Sequence, residues 1–392
     1  MWHYLIRFAT LLMILGSLVA CGEGASSGVA TTPAPASTTE TAPVESATAD
    51  TPAAEEAASA TDTPDYGRVL TVMTHDSFNV SADVVAEFEQ ANQVNLRFLR
   101  SGDAGSVLNR AILAKGNPLA DVLFGVDNTF FSRAIEADIF EPYVSPAVDR
   151  LPADVRLDPD GRLTPIDYAF VAINYDRAAF SDGGLPVPQS LRDLTKPEYR
   201  GKLVVESPAT SSPGLAFLLA TVATFGEDSD YPWTQFWTDL RANDTQVVNS
   251  WDTAYYTNFS GSSGQGEQPL VVSYASSPAA EVVFSEVELD ESPTANLLPA
   301  GSAFRQIEFA GILKGTENLD LAQRWIDFML GSRFQTDVPL QMFVYPVNPD
   351  AELPEVFQRF APVPDEPAVM APDEIAAGRE QWIQEWTRIM QR

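Results

Sequence analysis

Two short runs of the sequence share Ser-Ser-Pro: Thr210-Ser211-Ser212-Pro213-Gly214 and Tyr274-Ala275-Ser276-Ser277-Pro278. Each follows an apolar, β-branched stretch, and each is followed by residues suited to a helix. A serine before a proline fits the start of a helix, because the hydroxyl caps a free N–H and proline is tolerated in the first turn. The second serine of each pair is the expected N-cap. Free N–H groups and the positive end of a helix then face an anion such as a phosphate. Other polar residues recur at the ends of predicted strands: His75 and Asp76, Asp103 and Ala104 before Gly105, Asp127 beside Asn128, and Asp167 before Tyr168.

This inventory is poor in catalytic equipment. The only histidine after the leader is His75, and there is no G-x-S-x-G elbow, so a nucleophile–base–orienter triad has little to work with. The whole chain has one cysteine and two histidines, which leaves no disulfide framework and no multi-histidine zinc site. With 54 acidic and 24 basic residues and a formal charge of -30 over 392 residues, nucleic acid is excluded as a partner, since phosphate backbones need a basic face. The reading is of a protein that is not an enzyme and holds neither metal nor cofactor.

The elements that carry these residues follow an α/β pattern. Arg68 to Thr74 reads as a strand, Ser81 as the cap of a helix through Ala91, and Val94, Leu96 and Phe98 as an alternating strand. Ser106 to Lys115 reads as a helix and Asp121 to Gly125 as a buried strand. This β-α-β-α-β run predicts parallel strands with right-handed crossovers. Further strands are predicted at Phe170–Asn174, Lys202–Glu206 and Pro269–Tyr274, and helices at Pro213–Phe225, Asp320–Leu330 and Gln381–Met390. Trp382 and Trp386, four apart, are read as core packing. Ligands in open α/β sheets lie beyond the carboxyl ends of the strands, where the polar residues above are found.

Ahead of this body stand a leader and a spacer. Arg7 precedes the apolar run Phe8–Ala20, a length suited to a signal peptide and short for a membrane span. The sequence Leu18-Val19-Ala20-Cys21 resembles a bacterial lipobox, so residues 1–21 are read as a lipoprotein signal ending at an acylated Cys21. Residues 22–65 are almost entirely Ala, Ser, Thr, Pro, Gly and acids, with eight acids and no Lys or Arg. They read as an extended, disordered tether.

The stretches LTVMTHDSF, SVLNR after Asp103-Ala104-Gly105, ADVLFGVDN, TPIDYAFVAINYD, ATSSPGLAFLL, SWDTAY, VVSYASSPA, YPVN and EQWIQEWTRIMQR run in order from about residue 69 to the end. Together they resemble the thiamine-binding proteins of ABC importers, a branch of the type II periplasmic binding proteins. The resemblance implies two lobes, each a mixed, mostly parallel sheet flanked by helices, with the ligand cleft between them. On that basis one lobe takes residues 66–169 plus about 300–345, and the other 170–299 plus about 346–392. It also implies an extracytoplasmic, monomeric lipoprotein that passes thiamine or its phosphates to an ABC permease and ATPase. Carried over by motif, the ligand contacts fall on Asp103, Ala104, Ser211, Ser212, Trp251, Tyr274, Ala275, Ser276 and Ser277. His75, Asp76, Asp127, Asp167, Tyr168, Tyr255, Phe343 and Tyr345 are further candidates. A thiazolium cation favours an aromatic face, which Trp251 and Tyr274 supply. His75 and Ala280 stand where the family commonly shows tyrosine. The alternative reading is ferric-ion capture through the adjacent phenols Tyr255 and Tyr256.

Overall fold

The computed structural model describes residues 65–181, 183–263 and 266–391. The leader, Cys21 and the tether up to residue 64 lie outside the described residues. The first elements are β1 (Val69–Thr74), α1 (Ala82–Asn92), β2 (Asn95–Arg100), α2 (Ala104–Leu113) and β3 (Val122–Asp127). As expected from the β-α-β-α-β pattern, β1 pairs in parallel with both β2 and β3. Then follow α3 (Phe131–Glu136), β4 (Phe140–Glu141), the long β5 (Thr164–Asp176), β6 (Leu203–Glu206), α4 (Ser212–Phe225), α5 (Trp233–Ala242), β7 (Gln246–Val248), α6 (Ser260–Ser263), β8 (Leu270–Tyr274) and α7 (Ser277–Val283). The chain continues with β9 (Thr294–Leu297), β10 (Phe304–Leu313), α8 (Leu319–Leu330), α9 (Ser332–Gln341), β11 (Tyr345–Pro346), α10 (Glu355–Phe360) and α11 (Pro372–Met390).

The strands form one hydrogen-bonded sheet in the order β2-β1-β3-β10-β5-β8-β6-β7, with β4 beside β10 and β9 and β11 beside β5. The two expected sheets are two wings of this ladder. Parallel pairing is confined to β2-β1-β3 and β8-β6-β7, while β5 and β10 pair antiparallel with every neighbour they have. These two strands join the wings. Residues Thr164–Val171 of β5 pair with β10, and residues Val171–Asp176 pair with β8 and β9. The pairing of β10 shifts register at Glu308/Phe309 against β5 and at Phe309/Ala310 against β3, an irregularity of the kind that bends a strand.

The apolar face of α8 is buried as its spacing predicts, with Leu321 and Trp325 inside and Trp325 edge-on to Phe88 at 4.9 Å. α4 is buried on all sides from Pro213 to Val222, in keeping with its lack of a polar stripe. Trp382 and Trp386 are buried on α11, Trp386 meeting Trp237 of α5 edge-on at 5.5 Å, so both tryptophans are packing residues. α11 lies against α5 and also reaches α3.

Three expected helix starts need correction. Ser81 is the N-cap of α1, but its side chain caps no helix N–H; the hydroxyl bonds to Asp337 instead. In α4 the first serine of the pair, Ser211, is the N-cap and accepts from the Gly214 N–H at 3.4 Å. In α7 the N-cap is Ser276, again the first serine. Both second serines are therefore the first residues of their helices, and their hydroxyls are free to bond elsewhere.

Candidate functional site

Three carboxyl residues stand abreast on the central strands. Glu308 of β10 pairs directly with Asp127 of β3 on one side and with Asp167 of β5 on the other. Directly opposed residues share a face of the sheet, so the three acids form a row where the wings meet. Asp127 and Asp167 are fully buried. His75, just beyond β1, places Nε2 3.2 Å from Glu308 Oε1. Gly125, at φ +97°, leaves room for this imidazole, since a Cβ there would lie 2.4 Å from His75 Cδ2.

Like charges so close cannot all ionise, and the row divides its protons accordingly. Burial opposes charge on His75, but Glu308, Asp127 and Asp76 outweigh it and raise the imidazole. Burial pushes Glu308 up as well, but His75 and the bond from Asp167 win and hold it below the ordinary glutamate value. Asp167 is pushed well above the ordinary range, first by burial and then by Glu308. These directions favour a charged His75–Glu308 pair beside an Asp167 that keeps its proton to higher pH than an ordinary aspartate. Asp127 is also raised, chiefly by burial, although Thr129 and Ser212 donate to it.

Asp127 connects this row to the other wing. Ser212 Oγ, in the first turn of α4, donates to Asp127 Oδ2 at 2.9 Å. Gln306 Nε2 lies 3.3 Å from the same oxygen.

A second group is aromatic. The indole of Trp251 stacks on Tyr255 (5.1 Å, 20°) and meets Tyr256 (5.4 Å) and Tyr274 (6.0 Å) edge-on. Its Nε1 donates to Ser273 Oγ at 2.8 Å, and Ser273 lies 2.9 Å from Ser277 Oγ. The second serine of the Ser-Ser-Pro run thus anchors the indole instead of capping. Tyr255 and Tyr256 lie on a π-helical turn, Thr253–Asn258, a form often found at functional sites. Tyr255 OH donates to Glu281 Oε1 at 2.7 Å.

Tyr274 belongs to both groups. Its ring faces Trp251, and its hydroxyl is pushed far up by burial and then by Glu308, Asp127, Glu206 and Asp103. Glu206, the last residue of β6, is buried with neither carboxyl oxygen partnered, and burial pushes it up to about 8. The site is therefore an aromatic corner ringed by acids, suited to an organic cation.

Of the residues singled out in the sequence, the fold brings His75, Asp127, Asp167, Ser212 and Tyr274 to the acidic row, and Trp251, Tyr255, Tyr274 and Ser277 to the aromatic corner. Asp103 is exposed at the N-cap of α2, ahead of buried Ala104. Asp76 accepts from the Gly102 N–H at 3.0 Å, which ties the loops after β1 and β2 together. Ser211 caps α4, Ser276 caps α7, and the Ala275 N–H bonds to Phe170 O at 2.8 Å. Tyr168, Tyr345 and Phe343 form a separate cluster. Tyr345 stacks on Tyr168 at 5.3 Å and donates to Ala361 O, while Phe343 packs on Phe284 and Phe357. Glu308, Gln306, Glu206, Ser273 and Glu281 were not singled out from sequence. An acid inside the otherwise apolar run Ile307–Leu313 is the signal that marks Glu308.

Two wings joined by two shared strands, with polar and aromatic side chains converging at the junction, define a two-lobed solute receptor. Residues 117–365 match the family model for bacterial extracellular solute-binding proteins, and the chain belongs to that family. It is 31% identical over 334 residues to the thiamine-binding periplasmic protein of Escherichia coli, covering 83% of this chain and 94% of that one. A solved periplasmic thiamin binding protein superposes with a TM-score of 0.71 at 30% identity, over 83% of this chain and 96% of the other. A ferric binding protein from Campylobacter jejuni shares the fold, with a TM-score of 0.67 at 18% identity, over 82% of this chain and 99% of that chain.

Proposed function

We propose that this protein captures thiamine, or thiamine mono- or diphosphate, outside the cytoplasmic membrane and delivers it to an ABC permease with its ATPase. The observation that carries this reading is the aromatic corner of Trp251 and Tyr274 within a ring of carboxyl groups. Aromatic faces attract a desolvated cation by about 0.5–2 kcal/mol each, and the acids supply the opposite charge that a thiazolium needs. The likeness to thiamine-binding relatives over nearly the whole folded part supports the same ligand. The first-turn N–H groups at the start of α2, beside Asp103 and Ala104, suit a hydroxyl or phosphate tail.

The protein works by binding without turnover, as a monomer with no cofactor. The lobes divide within β5 and β10, and ligand contacts on both sides shift the population toward a closed form that docks on the transporter. Cys21 carries the lipid that anchors it, and the acidic residues after it give the receptor its reach.

Ferric capture is the weaker reading. A phenolate ligand must lose its proton, but Tyr255 OH is bonded to Glu281 and held far up by burial. Calorimetry with thiamine, its mono- and diphosphate, and Fe³⁺ tests both readings. Micromolar or tighter binding of a thiamine form is expected. A red-orange charge-transfer band with Fe³⁺ and no heat with thiamine would reverse the order.

A further inference from the structure

Glu206 is a buried acid with no evident structural task. It is 1% exposed, and neither Oε1 nor Oε2 has a hydrogen-bond partner. Two residues earlier, Val204 packs with Tyr255, Phe259 and Val271 beneath Trp251, and the two-residue period of a strand puts Glu206 on that same face. It is also one of the four acids whose charge reaches the Tyr274 hydroxyl. Burying an unpartnered carboxyl is costly. That cost is recovered when something else supplies the missing partner.

We infer that Glu206, with Asp127 and Glu308, is the counter-charge the site holds ready for its ligand's cation, and that capture of the cation expels a proton from the site. The inference rests on the thiamine reading above. The step balances: the neutral Glu206 carboxyl gives its proton to the solvent, and the carboxylate left behind faces the incoming positive charge. No bond of the ligand is made or broken. Pushed up to about 8, Glu206 holds its proton in the empty protein at pH 7, and a cation within a few ångströms lowers it again. The titratable group that senses Glu206 is Tyr274 of β8, which also senses Glu308 of β10, Asp127 of β3 and Asp103 ahead of α2; those acids in turn act on His75 after β1, beside Asp76, on Asp167 of β5 and on Arg379 of α11. Glu308 already has His75 3.2 Å away, whereas Glu206 has no partner on either oxygen, so Glu206 is the acid whose proton a cation most readily displaces.

The test is titration calorimetry of the full-length mature protein with thiamine at pH 7, in phosphate and in Tris, whose heats of protonation differ greatly. Release of about 0.5–1 proton is expected from the slope of heat against buffer heat, with affinity rising up to about tenfold per pH unit between pH 6 and 7.5. The variant Glu206→Gln, checked for folding by near-UV circular dichroism, is expected to bind more weakly and lose most of the release. Thiamine binding with the same heat in both buffers overturns the inference and leaves the thiamine reading intact. Undiminished release from Glu206→Gln overturns the assignment to Glu206. No thiamine binding in either buffer rejects the thiamine reading and this inference with it.

Discussion

Ser212 and Asp127, 85 positions apart, meet in a 2.9 Å hydrogen bond that joins the first turn of α4 to the end of β3. The bond spans the two wings, and Asp127 Oδ2 otherwise has only the longer contact from Gln306. Ser212→Ala is expected to cost about 1 kcal/mol in urea unfolding. In the proposed closed form this bond is made between the lobes, so thiamine affinity is expected to fall about fivefold on its loss. Unchanged unfolding midpoint and affinity would remove the bond from both roles.

Trp251→Ala removes the aromatic face and the Ser273 contact together. Thiamine binding is expected to weaken by more than about tenfold, while Trp251→Phe keeps part of the face and loses less. Calorimetry on the two variants measures the difference. Equal affinities for both variants and the parent would place Trp251 outside the site.

The His75–Glu308 pair gives a pH window. The raised histidine contributes stability that is full below its ordinary value of 6.5 and is lost as pH rises through its folded value. The lowered glutamate contributes stability that is full above its ordinary 4.5 and is lost as pH falls through its folded value. The contribution is therefore greatest between about pH 4.5 and 6.5. His75→Gln is expected to cost about 3 kcal/mol in that window, since it leaves a buried carboxylate unpaired, and less at pH 9. Urea unfolding at pH 5.5 and 9 reads the difference; a penalty that grows toward pH 9 would contradict the pairing.

Glu206 behaves in the opposite sense. A buried acid pushed up to about 8 from 4.5 holds its proton in the folded chain after the unfolded chain has lost it. Stability is therefore lost as pH rises from 4.5 to 8, and is level above that. Glu206→Gln is expected to stabilise the empty protein by a few kcal/mol at pH 8, at about 1.4 kcal/mol per pKa unit, and by little at pH 4.5. Chemical unfolding at the two pH values checks the sign.

Gly125→Ala places a methyl group against His75 at a φ that L-residues rarely adopt. A loss of about 1–3 kcal/mol is expected, with the histidine turned from Glu308. The ring's NMR titration, shifted down in the variant, would report the displacement.

The opening β-α-β-α-β run was legible because strand alternation, helical spacing and turn residues agree within each short segment. β10 was not. Its pairing shifts register on both sides at Phe309, so the run from Phe304 to Leu313 shows no clean two-residue period. With β10 unread, Glu308 went unread too, along with its placement between Asp127 and Asp167, acids more than 130 positions away. The Ser-Ser-Pro runs were recognised as helix starts, but local pattern could not tell which serine caps; that depends on Asp127 and Ser273, which claim the second hydroxyl. Phe343 and Tyr345, named as further candidates, lie in the cluster with Tyr168, where Tyr345 donates to the Ala361 carbonyl.

The placement of β10 also constrains how the chain assembles. It lies between β3 and β5, which precede it in the sequence by a hundred residues or more. Those two strands wait for a neighbour that the chain supplies only at Phe304–Leu313. The pairings of the β8-β6-β7 wing all lie before residue 275, but the β2-β1-β3 wing has no link to β5 until β10 arrives, so the join between the wings is expected to close late and over long range. A chain cut before Phe304 would leave β3 and the first half of β5 each with an unpaired edge.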